Sequence, residues 1–209
     1  MDTTVAESGR REPRAQFILL GAVGGLAWAA SLRAFMVEIA GAESQFAWLE
    51  TFVGILLPGI TAGALLGWAE IRRRAGRPLR VLILAPLLFP LVTLSLPGQL
   101  STLLTTGLGS GALATPLLGI AGGYALAGSR RWVRIVCGIL TVSLVPIAVL
   151  AIVVLEIPLT ARSTWTLLLL FSLLAVQAWA CAIPLRPVPR ETTTPAGAAN
   201  SSARAHWRR

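Results

Sequence analysis

Six long apolar runs, joined by loops that carry arginine on alternate turns of the chain, constrain this sequence more than any other feature. The runs cover about residues 17–37, 47–69, 81–96, 103–126, 133–155 and 165–183. A membrane-crossing helix needs about 20 apolar residues, so 209 residues hold six such helices and little else. Composition agrees, with 55% hydrophobic and only 13% charged residues, where soluble domains carry about 25% charged. A disordered chain, a coiled coil, a disulfide-stapled secreted domain and a water-soluble nucleic-acid binder are thereby excluded. The expected fold class is all-α, a polytopic membrane protein with six transmembrane helices over 16–185. A cytoplasmic N-terminal segment covers 1–15, and a basic tail rich in Pro, Thr, Ala and Ser, expected to be disordered, covers 186–209.

The arginines set the orientation. All 18 basic residues are Arg. Arg10, Arg11 and Arg14 precede the first run; Arg72, Arg73, Arg74, Arg77 and Arg80 follow the second; Arg130, Arg131 and Arg134 follow the fourth; Arg186, Arg190, Arg204, Arg208 and Arg209 follow the sixth. The opposite side has only Arg33 and Arg162, beside Glu38, Glu43, Glu50 and Glu156. Short loops rich in Arg stay cytoplasmic, so both termini are expected inside a bacterial plasma membrane. The net charge of +9 is then a topology signal, and its partner is the anionic headgroups of the cytoplasmic leaflet rather than nucleic acid. A cleaved signal peptide would mimic the first run, but that run continues past Ala30 through Leu32, Phe35, Met36 and Val37.

Small residues let helix backbones approach closely in lipid. The second run has Gly59, Gly63 and Gly67 at four-residue spacing, the first has Gly21 and Gly25, and the fourth has Gly119 and Gly123. Such stripes are expected to pack helices within one chain, although a homo-oligomer or a membrane partner remains a reading. Trp48, Trp68, Trp132 and Trp165 fall near run ends, as interfacial anchors do. Pro58, Pro86, Pro90, Pro116 and Pro146 lie inside runs and are expected to kink them. Pro97-Gly98-Gln99 is expected to make a tight hairpin, with a re-entrant loop over 97–111 as the alternative.

Catalytic chemistry is hard to find. The single histidine, His206, lies in the tail, and Cys137 and Cys181 lack the spacing of a metal or redox pair. Gly107-Leu108-Gly109-Ser110-Gly111 invites comparison with the serine motif of rhomboid proteases, but no histidine lies in any run to activate Ser110. Paired aspartates for a diphosphate and a Walker loop are both missing from the sequence. No catalytic residue, cofactor or metal site is assigned. Gln177 is expected to hydrogen-bond between helices.

One polar constellation stands out at the outer end of the first hairpin: Trp28, Arg33 and Glu38 from the first helix, with Trp48 and Glu50 from the second. Arg33 lies ~7 Å below Glu38 along a helix axis, and Glu50 enters the second helix by a similar depth. Arg33 and Glu50 are therefore expected to face each other, either to fix the hairpin or to form an outward-facing polar pocket.

The same residues carry a family resemblance. Trp28-x4-Arg33-x-Phe35-Met36, followed by Phe46-x-Trp48-x2-Thr51, resembles a pattern near the N-terminus of small multi-span membrane proteins of actinobacteria. Phe35 stands where that pattern often has Trp, and Gly41 to Gln45 replaces its usual Asp-Pro-Glu. The resemblance implies membrane location and this hairpin, and carries over no activity. The expected function is non-enzymatic: an accessory, structural or lipid-interacting protein. A small-solute or lipophile transporter is the second reading, and a membrane enzyme acting on an isoprenoid or lipid through Glu38 or Glu50 the third.

Overall fold

The computed structural model describes residues 5–41, 48–95, 110–154 and 158–188. The 97–109 segment, Phe46, Glu43 and the tail beyond 188 lie outside the described residues. Every element among the described residues is helical. Among the described residues, four stretches are long and apolar enough to cross a membrane: Arg14–Ile39, Leu49–Arg74, Arg131–Leu150 and Ala161–Leu185; Arg80–Ser95 and Leu113–Ala127 are shorter apolar helices.

α1 spans Val5–Ala40 and begins 12 residues before the apolar run, with Pro13, which has no N–H to give to Gly9 O, inside it. The second helix enters through wide turns over Leu49–Leu56, where the Leu57 N–H donates to Phe52 O five residues back, and continues as α2, Leu57–Arg74. Pro58 explains the widening. It has no N–H to give to Gly54 O, and that carbonyl accepts from Thr93 Oγ1 at 3.0 Å instead. α2 ends in a Schellman motif: Gly76 sits at φ 74°, and the Arg77 N–H reaches back to Arg72 O at 3.0 Å.

A 3₁₀ stretch, Arg80–Leu87, leads into α3, Leu88–Ser95. The tighter coil has a consequence for length. At ~2.0 Å per 3₁₀ residue and ~1.5 Å per α residue, these 16 residues reach ~28 Å, where an α-helix would reach ~24 Å. α4 spans Ser110–Ala127, α5 Arg131–Val142 and α6 Leu144–Val154. α5 and α6 form one rod interrupted at Ser143, since Pro146 cannot donate to Val142 O. α7, Ala161–Ala182, starts on a capping box in which Thr160 Oγ1 accepts from the Ser163 N–H.

Neighbouring contacts give each helix a direction. Gly21 lies opposite Gly63 and Gly25 opposite Gly59, so α1 and α2 are antiparallel. α4 and α7 run parallel, Gly119 meeting Gln177, Gly122 meeting Ala178 and Gly123 meeting Cys181. Trp28 Nε1 donates to Leu173 O at 3.0 Å, and Glu38 meets Arg162, which makes α7 antiparallel to α1. Thr93 lies on Gly54 while Ala85 packs with Ala62 and Leu66, so the third helix is antiparallel to the second. Arg134 reaches Ala125 O while Thr141 faces Gly122, so α5 is antiparallel to α4. Successive apolar helices therefore alternate in direction through the bundle. Arg72, Arg73, Arg74, Arg80, Arg131, Arg134 and Arg186 gather at one end, and Arg33, Glu38, Glu50 and Arg162 at the other. The buried core, Ala29, Leu32, Ile55, Phe89 and Leu173, lies among α1, α2, α3 and α7. The α5–α6 rod stands at the edge, its apolar side chains mostly exposed.

Candidate functional site

The α1–α2 seam is the base of the site. A Cβ on Gly63 would run into Gly21 O and come within 2.9 Å of Gly25 Cα, and one on Gly59 would lie 2.5 Å from Ala29 Cβ. These backbones touch because glycine leaves them bare. The glycine stripe thus does two things: it brings the helices together, and its flank leaves a wall without side chains.

Against that wall lies a half-open cleft of about 390 Å³ between α1, α2, α3 and α7. Its lining is apolar, with Trp28 and Phe89 at one end and Phe17 and Glu70 at the other. Trp28 meets Phe89 edge-to-face, with ring centroids 6.5 Å apart. Leu20, Val176 and Trp179 line the mouth and are more than half exposed, so the cleft opens sideways, onto the apolar flank of the bundle. Gly24 also lines it, and nothing lies within 4 Å of where its Cβ would be.

Two polar side chains reach this lining. Glu70 accepts from Arg73 Nε at 2.8 Å, Arg73 Nη2 at 2.7 Å and Arg74 Nε at 2.6 Å. Arg73 Nη1 also donates to Pro187 O at 2.8 Å, tying α2 to the chain just beyond α7. Gln177 is only 6% exposed, and its carboxamide packs on Gly119 of α4. Contrary to the sequence expectation, Oε1 of Gln177 has no hydrogen-bond partner among the described residues. Gly119 allows the contact sterically but has no side chain to donate a hydrogen bond.

The outer constellation includes a contact to a third helix. Glu38 pairs with Arg162 of α7, Nε to Oε2 at 2.8 Å, so the two arginine-poor ends of α1 and α7 are tied together. Arg33 is half-buried and has an interaction of its own. Trp48 is exposed and stacks on Phe52 at 4.5 Å, beside an exposed Glu50. Of the five residues, only Trp28 lines the cleft. Sequence reasoning passed over Glu70, although Glu70, Arg73 and Arg74 have the three- and four-residue spacing of helix ion pairs. Among the described residues, no group of three His, Cys, Asp or Glu side chains could hold a metal. No protein-family model, curated protein or solved structure matches this chain.

Proposed function

We propose that the chain is a multi-pass protein of a bacterial plasma membrane that crosses the bilayer six times, keeps both termini in the cytoplasm, and holds a membrane lipid in its lateral cleft without transforming it. The alternating helix directions support six crossings. So does length: the 3₁₀-extended third helix reaches ~28 Å and the 18 residues of α4 ~27 Å, against ~30 Å of hydrocarbon. Arginine gathered at one end supports the orientation.

The observation that carries the lipid reading is the cleft. Its volume is that of a small-molecule site, its walls are apolar, and its mouth opens where acyl chains would stand. The non-enzymatic reading rests on the same lining. Glu70 is held by two arginines and Gln177 is no nucleophile, so among the described lining residues no activated acid, base or nucleophile faces an occupant. Lipid retention tests this. Protein purified in mild detergent should keep co-purifying lipid in native mass spectrometry. Gly24→Phe, which fills the cleft without touching the seam, should lose it, while Leu19→Phe on the exposed flank should not. Equal lipid content in wild type and Gly24→Phe would refute the reading.

A further inference from the structure

The dimensions and charge of the cleft narrow the kind of lipid, on the reading that a lipid occupies it. On α2 the lining runs from Gly59 to Glu70, and on α1 from Phe17 to Trp28. At 1.5 Å per residue each wall is ~16 Å long, about half of the ~30 Å hydrocarbon core. The slot is one leaflet deep. Its far end is closed by Trp28 and Phe89, and the one polar atom of that pair, Trp28 Nε1, is already spent on Leu173 O. A chain end without polar atoms suits it.

The near end is charged. Glu70 faces two guanidinium groups with one carboxylate, which leaves one positive charge in excess. Arg73 is held at all three of its nitrogens, by Glu70 through Nε and Nη2 and by Pro187 through Nη1. Arg74 uses only Nε on Glu70; its two amino groups have no hydrogen-bond partner among the described residues, and its side chain is 55% exposed. Its guanidinium lies 4.4 Å from the centroid of the Phe17 ring, which itself lines the cleft, so Arg74 stands at the cleft's charged end. We infer that the occupant is an anionic phospholipid of the arginine-rich leaflet, one acyl chain lying along the glycine wall and its phosphate bonded by the amino groups of Arg74. Glu70 then acts as a built-in competitor that holds Arg73 away from the headgroup.

Delipidated protein titrated with phosphatidylglycerol, phosphatidylcholine or inorganic phosphate, with bound molecules counted by native mass spectrometry, tests this. One surplus arginine favours an anionic headgroup about fivefold, so phosphatidylglycerol should be held about fivefold more tightly than phosphatidylcholine. Arg74→Gln should remove that preference, and its exposed side chain makes it safe for folding. Glu70→Gln should raise the preference, since it frees Arg73, a direction that mere structural damage would not produce. Inorganic phosphate should neither bind nor displace the lipid; displacement would mean a free-anion site and overturn the inference. If both lipids bind equally and Gly24→Phe blocks both, the headgroup inference falls while the cleft reading stands. If Gly24→Phe blocks neither, the cleft reading itself falls.

Discussion

Two alanine substitutions on one pair of helices should have opposite signs. A methyl on Gly63 would collide with Gly21 O and stand 2.9 Å from Gly25 Cα. Ordinary carbon contacts lie at about 3.5–4.0 Å, so α1 and α2 must part by roughly 1 Å. A gap of that size forfeits a quarter to a half of each contact's attraction, and forced overpacking costs about 1–3 kcal/mol. Set against the helix-propensity gain that Ala brings at either position, Gly63→Ala should destabilise the protein by about 1 kcal/mol. Gly24, next to the seam residue Gly25 on α1, lines the cleft and has no atom within 4 Å of a Cβ position. Gly24→Ala should gain about 0.5–1 kcal/mol from helix propensity alone. Reversible unfolding in mixed micelles of mild detergent and SDS, followed by circular dichroism, measures both. Equal loss for the two variants, or no loss for Gly63→Ala, would refute the assigned seam.

Three further expectations follow from other parts of the bundle. If the chain crosses six times, Arg77→Cys should be labelled by a membrane-impermeant maleimide only from the cytoplasmic face and Leu159→Cys only from the outside; same-side labelling would remove one or more crossings. The Glu38–Arg162 pair is exposed, with side chains 31% and 66% accessible, so Glu38→Gln should cost under about 1 kcal/mol and less at high salt; a larger loss would show that the pair is shielded by a neighbour. Gln177→Met should be neutral or mildly stabilising in delipidated protein, because it removes a buried amide whose Oε1 has no partner. A loss above about 1 kcal/mol would mean that the amide has a partner in solution.

What was legible in the sequence was periodic or local. Runs of apolar residues mark the helices whatever surrounds them, and the four-residue glycine spacing of Gly59, Gly63 and Gly67 marks a face that can be approached closely. Pro58 signals a kink, but its widened turns and the freed Gly54 carbonyl depend on Thr93, 35 residues further on. The 3₁₀ coil over Arg80–Leu87 was invisible because apolar composition is the same for either helix. Pairing of Glu38 with Arg162 depends on α7 standing beside α1, and no spacing within the first hairpin encodes that neighbour. The cleft is hidden for the same reason. Its walls come from four helices, and only the set of neighbours shows which glycine flank is left uncovered.

A lipid held in this cleft would be visible in a cryo-electron microscopy map of the protein in lipid nanodiscs. Elongated density should run ~16 Å along the bare wall beside Gly24, from Trp28 and Phe89 to the guanidinium of Arg74. A slot closed by inward movement of α7, with Trp179 or Val176 packed on Gly24 and no density between, would contradict it.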